Sequence, residues 1–151
     1  MRIALYQPDI PQNTGNIFRL ASCFGINVDI IGPTGFIFDD SRFKRSMMDY
    51  MINLQYKRHL DWNAYKNWSK EKKYRLILLT TKSIKPYTNF KFKKNDIILF
   101  GQESSGVPKK IHEMVDERLT IPMKKGLRSL NISSAVAIVA SEASRQLNLF
   151  R

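Results

Sequence analysis

A short polar loop bounded by two glycines is the first feature of this sequence whose residue types could hold a ligand. It reads FGQESSGVP, residues 100–108, and it continues from the apolar residues Ile97, Ile98 and Leu99. A Walker loop needs lysine followed by serine or threonine, and a dinucleotide-binding loop needs G-x-G-x-x-G. Neither pattern is present, so this loop is not typical of a phosphate site. Gly101 and Gly106 would let its backbone approach a ligand closely, or they are ordinary turn glycines, an alternative that fits Gly106 equally well. Glu103 adds one carboxylate.

Two further segments carry side chains suited to chemistry. NTGNIFR, residues 13–19, holds two asparagines and an arginine, and IPMKKGLRSLNISSAVAI, residues 121–138, holds an arginine, serines and another asparagine. Neither segment contains a histidine or a carboxylate, the groups most often used as general bases. A reaction carried out here would therefore rely on amides, hydroxyls and cations.

The counts of cysteine and histidine exclude some kinds of site. Cys23 is the one cysteine, which excludes an internal disulfide, and His59 with His112 do not make a set of zinc ligands. We expect no metal. The longest apolar runs are much shorter than a membrane span, and the first residues lack the apolar core of a signal peptide. These features predict a cytoplasmic protein that does not enter membranes.

Strand and helix signals alternate along the chain, and they predict an α/β fold. Strands are expected in RIALYQ, NVDIIG, MINLQYKRH, YRLILLTT, DIILFG and RLTIPM. Helices are expected in NTGNIFRLASCFG, DDSRFKRSMMDY, DWNAYKNWSKEKK, PKKIHEMV and NISSAVAIVASEASRQLNLF. The pattern predicts a mainly parallel sheet flanked by helices, in a single domain of residues 1–151. Ligands of such sheets bind beyond the carboxyl ends of the strands, here after Leu79, Phe100 and Ile121.

Residue types also predict where helices begin and end. Thr14 is expected to be the N-cap of the first helix and Gly25 to end it. Asn131 or Ser133 is expected to cap the last helix. Small residues along that helix permit close packing, either within the chain or against a second copy.

The chain is strongly basic. Its 25 lysines and arginines against 13 acidic residues give a net charge of +12 and a pI near 10.0. This balance favours a polyanionic partner such as nucleic acid, although a lysine-rich proteome would give the same surface without any partner. Arg42, Lys44 and Arg45 share a segment with aromatic residues and methionines, which favours nucleic-acid binding over a merely solvated surface.

In their order and spacing, NTGNIFR, FGQESSGVP and IPMKKGLRSLNISSAVAI resemble the three motifs of the SPOUT superfamily of RNA methyltransferases. GFIFDDSRFKRSMMDY and LTTK narrow the resemblance to the small, single-domain branch that methylates the ribose of the tRNA wobble nucleotide. The resemblance covers essentially the whole chain. It implies that the C-terminal segment threads a trefoil knot, which composition alone would not predict because knots are rare.

The resemblance also implies a cofactor, S-adenosyl-L-methionine, held in a bent shape mainly by backbone groups. This cofactor carries no phosphate, which accounts for the missing phosphate-binding patterns. Glu103 would lie near the sulfonium or would cap its own loop. The binding positions of the family fall on Leu79, Gly101, Ile121 and Ser129, with Leu130 adjacent.

The implied reaction moves a methyl group to a ribose 2′-oxygen. Arg19 matches the catalytic arginine of related enzymes. Because a guanidinium normally stays protonated, we expect Arg19 to bind the adjacent phosphate and to stabilise the developing alkoxide. Asn13 would fix the first loop, and Ser129 would flank the cofactor at the catalytic centre. Asn16 would contact the substrate or a second subunit.

The implied partners are the anticodon stem-loop of tRNA and a second copy of the chain in a homodimer. Two other functions stay open at this point. One is methylation of ribosomal RNA on the same fold, and the other is RNA binding without catalysis. The residues expected to contact RNA are Asn16, Arg42, Lys44, Arg45 and Arg128.

Overall fold

The computed structural model describes residues 1–39, 41 and 54–149. Within them lie six strands and four complete α-helices, which alternate as predicted. The strands are β1 (Arg2–Tyr6), β2 (Asn27–Ile31), β3 (Tyr56–His59), β4 (Arg75–Leu79), β5 (Asp96–Phe100) and β6 (Glu117–Leu119). The helices are α1 (Pro11–Phe24), α2 (Trp62–Glu71), α3 (Lys109–Met114) and α4 (Ile132–Gln146), with a short 3-10 helix at Tyr87–Asn89. The helix predicted in DDSRFKRSMMDY lies almost wholly outside the described residues.

The strands form one sheet in the order β3-β2-β1-β5-β4-β6. Every strand pair in it is parallel. Phe100, at the end of β5, lies opposite Leu5 of β1 and Leu79 of β4. Leu79 lies opposite Leu119 of β6. The carboxyl ends of four strands therefore meet at one edge of the sheet, and the predicted α/β class is confirmed. The trefoil knot stays a prediction.

Successive residues of the central strands enter two separate cores. Ile98 of β5 belongs to the core that holds Phe18 of α1 and Val139 of α4. Leu99, the next residue, belongs to the core on the opposite face, with Tyr65 of α2. Because both faces are covered, these strands have no polar alternation, as expected for a buried parallel sheet. Each fully buried large side chain contributes about 1.5–3 kcal/mol relative to an exposed one.

Helix α1 begins earlier than predicted. Its N-cap is Ile10, with extended backbone angles, and Pro11 occupies the first turn, where its missing N–H costs nothing. The expectation that Thr14 is the N-cap was wrong, because the proline already fixes the helical start three residues before it. Asn13 therefore lies inside the first helical turn, where it is buried. Gly25 ends the helix in the left-handed conformation, as predicted.

The last strand is shorter than the predicted RLTIPM. β6 ends at Leu119, and the N–H of Thr120 donates to Lys85 O at 2.9 Å, in the loop after β4. Pro122 has no N–H to continue a ladder. Ile121 therefore lies in the loop beyond the sheet rather than in a strand.

Helix α4 is capped by Asn131, whose Oδ1 accepts from the Ser133 backbone N at 2.8 Å and from the Ser133 hydroxyl at 2.6 Å. Of the two predicted caps, Asn131 is confirmed. Ala140, Ala143 and Ser144 are buried within the chain. These small residues thus serve packing inside the chain, and they give no support to a dimer.

A buried ion pair lies under helix α2, on the opposite side of β2 from α1. Asp29 has no exposed surface, and it accepts from Arg2 Nε at 2.8 Å and Arg2 Nη2 at 2.7 Å. Tyr65 donates its hydroxyl to Asp29 at 3.3 Å. His59 Nε2 lies 3.8 Å from the same carboxylate. Burial lowers the pKa of His59, so this histidine is neutral near pH 7.

Candidate functional site

A cavity with a volume of about 540 Å³ lies at the carboxyl edge of the sheet. Its walls come from the ends of β4 and β5, from the loops that follow β4, β5 and β6, and from the first turn of α4. Ligand sites of drug-sized molecules span about 300–1,000 Å³. The cavity is lined by eight residues predicted from the sequence, namely Asn13, Leu79, Gly101, Glu103, Ile121, Arg128, Ser129 and Leu130.

The loop after β5 folds back on itself. Gln102 N donates to Gly106 O at 3.0 Å, and Gly106 N donates to Gln102 O at 2.7 Å. A Cβ at position 101 would lie 2.7 Å from the carbonyl carbon of Gly106. Gly106 has a φ of 71°, a conformation that favours glycine. Both glycines are thus required by the loop itself, which is the turn role that the sequence left open, and close approach of a ligand to their backbone stays a prediction.

Glu103 connects this loop to the segment that precedes α1. Its Oε2 accepts from the backbone N of Asp9 at 3.0 Å, and its Oε1 accepts from Asn13 Nδ2 at 3.4 Å. Asp9 in turn accepts from the Ser104 hydroxyl at 2.5 Å. Burial, with the hydrogen bond to Asp9, raises the pKa of Glu103. The hydrogen bond from Glu103 lowers the pKa of Asp9, so the carboxyl pair favours a proton on Glu103 and a charge on Asp9.

A second connection joins the first and last motifs. Asn131 Nδ2 donates to Asn13 Oδ1 at 3.0 Å. Asn13 therefore uses both ends of its amide, since its Nδ2 donates to Glu103. One buried amide on α1 holds together the loop after β5 and the N-cap of α4. The prediction that Asn13 fixes its loop stays a prediction about function, but these contacts give it a structural basis.

The loop before α4 presents exposed residues to the cavity. Arg128, Ser129 and Leu130 are all exposed, and Leu130 keeps 41% of its surface accessible. Leu79 and Ile121 are half-buried and pack against the core while they line the cavity. The two expected roles of Leu79 and Ile121, in the core and at the site, are therefore compatible.

Arg19 and Asn16 lie away from the cavity. Both are exposed on α1, and neither lines the cavity that Asn13 lines. Arg19 lies six positions after Asn13, which is about one and two-thirds helical turns. The two side chains therefore project from different faces of α1. The phosphate contact expected of Arg19 stays a prediction. Arg42, Lys44 and Arg45 lie outside the described residues.

Asp9, Lys82 and His112 are among the polar residues near the cavity that had no predicted role. Lys82 and His112 line the cavity, and the backbone N–H of Asp9 donates a hydrogen bond to Glu103. Lys82 lies in LTTK, a segment that narrowed the resemblance but carried no predicted site residue other than Leu79. Asp9 and His112 had no local signal, because their proximity to the cavity follows from the strand order.

The described residues were found to contain neither a candidate metal centre nor a candidate membrane span. No group of three or more histidine, cysteine or acidic residues there could hold a metal ion. No helix there combines the length and the apolar character needed to cross a membrane.

Comparison with known proteins gives consistent results. A protein from Beijerinckia indica named tRNA (cytidine(34)-2'-O)-methyltransferase is 46% identical over 145 residues, 96% of this chain and 91% of that protein. A protein of the same name from Escherichia coli is 39% identical over 149 residues, 97% of this chain and 94% of that protein. A solved structure described as giving insight into 2-OH methylation of C/U34 on tRNA superposes with a TM-score of 0.89 at 33% identity, covering 97% of this chain and 95% of that one.

The match to a family profile and the alignment with relatives agree on the family of this chain. The profile of the SpoU rRNA Methylase family matches residues 1–141, which include all three motif segments. The relatives align over nearly the whole chain, and the same motif segments meet around the cavity. The chain belongs to the SpoU rRNA Methylase family, as the resemblance of its motifs to SPOUT methyltransferases predicted.

Proposed function

We propose that this chain transfers a methyl group from S-adenosyl-L-methionine to the ribose 2′-oxygen of nucleotide 34 in tRNA. The observation that carries the proposal is that three segments far apart in sequence meet around one cavity, in a chain whose full-length relatives are named for this activity. The 2′-hydroxyl requirement makes RNA the substrate rather than DNA.

The cavity fits the cofactor in size and chemistry. Its volume of about 540 Å³ suits a nucleoside joined to an amino acid. Leu79, Gly101, Ile121 and Ser129, with Leu130, would hold the cofactor largely through their backbone groups. When bound, the cofactor supplies a methyl group already activated by a sulfonium. Glu103 supplies a carboxyl near this cationic part.

The residues of the chain then have to position the substrate rather than activate the donor. Holding the 2′-hydroxyl in line with the methyl group can contribute about 7–11 kcal/mol. Asn13 and Ser129 would shape the wall at which the hydroxyl arrives. Arg19 would bind the phosphate next to the ribose and stabilise the developing negative charge on the oxygen.

A homodimer would allow Arg19 to bind the substrate phosphate although it does not line the cavity of its own chain. Arg19 and Asn16 are exposed on α1 and do not line the cavity of their own chain. In a dimer that places α1 against the cavity edge of a second copy, both residues would complete the site of that copy. Ile10, Leu130 and Ile138 are exposed apolar residues on the α1 and α4 side, and a second copy would cover them.

The basic residues of the chain would bind the phosphates of the RNA. Arg128 and Lys82 line the cavity and are exposed, so they can reach phosphates next to the target nucleotide. Arg42, Lys44 and Arg45 stay candidates for more distant phosphates. An enzyme that modifies tRNA acts where tRNA is used, which favours the cytoplasm.

Mapping of ribose methylation in total RNA tests the proposal. In cells that lack this chain, the 2′-O-methyl group at tRNA nucleotide 34 should disappear, and it should return with the wild-type chain. Loss of a ribosomal RNA methyl group with no change at nucleotide 34 would instead indicate the rRNA activity. If no ribose methylation changed, the chain would be a binding protein without catalysis.

A further inference from the structure

His112 is a buried histidine at the wall of the cavity. It lies in α3, keeps only 9% of its surface exposed, and is one of the residues that line the cavity. Its backbone N donates to Pro108 O at 3.4 Å within the helix. Within residues 1–39, 41 and 54–149, its ring nitrogens are not among the buried atoms that lack a hydrogen-bond partner. They therefore keep accessible surface at the cavity wall, where a ligand can form a hydrogen bond with them.

The cavity crosses the edge of the sheet from one face to the other. On the side of α1 and α4 its wall includes Asn13 and Glu103, which belong to the hydrogen-bonded carboxyl network. On the side of α3 its wall includes Leu78 and Val107, which belong to the opposite core, and His112. One end of the cavity therefore offers carboxyl and amide groups, and the other end offers apolar surface with a single imidazole.

This asymmetry favours one orientation of a bound ligand that has one cationic and one neutral end. The sulfonium and ammonium groups of S-adenosyl-L-methionine are attracted to the end that holds Glu103, where Asn13 also lies. The adenine base is neutral and flat, and it carries both donors and acceptors at its edge. We infer that His112 hydrogen-bonds the adenine base of the cofactor, between the apolar walls of Leu78 and Val107. This inference rests on the proposed cofactor.

The charges around His112 keep its ring neutral. Burial is the main cause that lowers the pKa of His112, and the positive charges of Lys82 and Arg118 lower it further. Lys82 approaches from the loop after β4 and Arg118 from β6. The carboxyl pair of Asp9 and Glu103 lies at the other end of the cavity. A neutral imidazole offers one donor and one acceptor, which suits the edge of a neutral base.

Binding of S-adenosylhomocysteine and of adenosine, measured by calorimetry and by competition, tests the inference. His112→Leu removes the hydrogen bond and keeps an apolar side chain, and it should weaken both ligands about three- to tenfold. His112→Gln should retain part of the affinity. Lys110→Leu is the matched control, because Lys110 is exposed on the same helix and does not line the cavity. Its affinities should equal those of the wild type, and melting curves check that all variants are folded.

The outcomes separate this inference from the proposed function. If wild-type protein bound neither ligand, the cofactor assignment would fail together with the role of His112. Normal binding by His112→Leu would overturn the inference alone. A loss confined to S-adenosylhomocysteine would place the ring at the amino-acid tail and would also overturn it.

The pH dependence gives an independent readout. Acidification protonates His112 and removes its acceptor. Because the pKa of His112 is lowered, wild-type affinity should fall as the pH drops below the ordinary histidine value of about 6.5. Protonation of Glu103 contributes to the same fall in every variant. The part that depends on His112 is therefore the difference between wild type and His112→Gln. Identical pH profiles for the two proteins would contradict the inference.

Discussion

Asn131 Nδ2 donates a hydrogen bond to Asn13 Oδ1 at 3.0 Å, across 118 residues of sequence. This contact joins the first turn of α1 to the N-cap of α4, and the other end of the Asn13 amide reaches Glu103. Three loops at the edge of the sheet thus share one buried amide.

Replacing Asn13 should loosen all three loops. Asn13→Ala removes both hydrogen bonds and leaves a gap, so we expect a loss of about 1–3 kcal/mol in unfolding free energy and weaker cofactor binding. Asn13→Asp keeps the acceptor for Asn131 but places a negative charge against Glu103, and it should be at least as damaging. Urea unfolding and a cofactor titration measure the two effects. A wild-type cofactor affinity in both variants would show that the amide does not organise the cavity.

Glu103 should make stability depend on pH in a particular direction. Its pKa is raised above the ordinary 4.5, so its protonated form is favoured in the folded chain. The corresponding stabilisation is present at low pH and is lost as pH rises through the raised pKa. Glu103→Gln mimics the protonated form at every pH. The stability of this variant relative to wild type should therefore increase as pH rises from about 4 toward neutrality.

Two comparisons make the Glu103 experiment specific. Glu113→Gln removes an exposed carboxylate on α3 and should show no such trend. Asp9 behaves oppositely to Glu103, because its pKa is lowered and its contribution is lost as pH falls. If the difference in unfolding free energy between Glu103→Gln and wild type did not change with pH, the raised pKa of Glu103 would be contradicted.

Gly101 is expected to tolerate no side chain. A Cβ there would lie 2.7 and 2.8 Å from two backbone atoms of Gly106, so Gly101→Ala must move the loop. We expect a cost of about 1–3 kcal/mol in stability and a clear loss of cofactor affinity. Gly15→Ala is the matched control, since a Cβ at that helical position meets nothing within 4 Å. The control should gain stability, by about 0.5–1 kcal/mol.

Arg19 should be needed for methyl transfer but not for cofactor binding. Arg19→Ala is expected to abolish single-turnover methylation of an anticodon stem-loop and to leave cofactor affinity nearly unchanged, because Arg19 does not line the cavity. Arg19→Lys should restore little activity, since an ammonium cannot bind phosphate in a bidentate way. Lys70→Ala, an exposed cation on α2, serves as the control. Near-normal turnover by Arg19→Ala would remove Arg19 from the mechanism.

Mixing two inactive variants tests whether Arg19 acts on a second copy. If Arg19 completes the site of a partner, Arg19→Ala mixed with Gly101→Ala should form some dimers with one intact site. Activity should then reappear in the mixture, although each variant alone is inactive. Sedimentation of the wild type at the 17.6 kDa of a single chain would contradict the dimer itself.

The buried ion pair under α2 should be essential for stability. Arg2→Met leaves the Asp29 carboxylate buried without its charged partner, which should cost about 3–5 kcal/mol. Adding Asp29→Leu to Arg2→Met should recover most of this loss, because an apolar pair of similar size needs no charge compensation. Lys57→Met removes an exposed cation of β3 and should cost little. Urea unfolding of the four proteins measures the differences, and a double variant no more stable than Arg2→Met would contradict this account.

The sequence by itself determined the element types, the two apolar faces of the sheet and the family. Apolar runs such as IILF, residues 97–100, and helical spacing in NTGNIFRLASCF encode strands and helices within a few residues. Gly25 ends α1 for a local steric reason. Thr14 shows the limit of this reasoning. It is a residue type that often caps helices, but the helix already begins at Pro11, so Thr14 lies inside it. The family followed because whole segments, rather than single residues, matched its motifs.

The tertiary structure decided which of these residues meet. Glu103 reaches the backbone of Asp9 across 94 residues because β1 and β5 are neighbours in the sheet. Asn13 reaches Asn131 across 118 residues because α1 packs against α4. His112 lines the cavity because the wall continues over the sheet edge to α3, and Arg19 is turned away from it by the helical rotation after Asn13. Such contacts depend on strand order, which local propensity and periodicity do not predict.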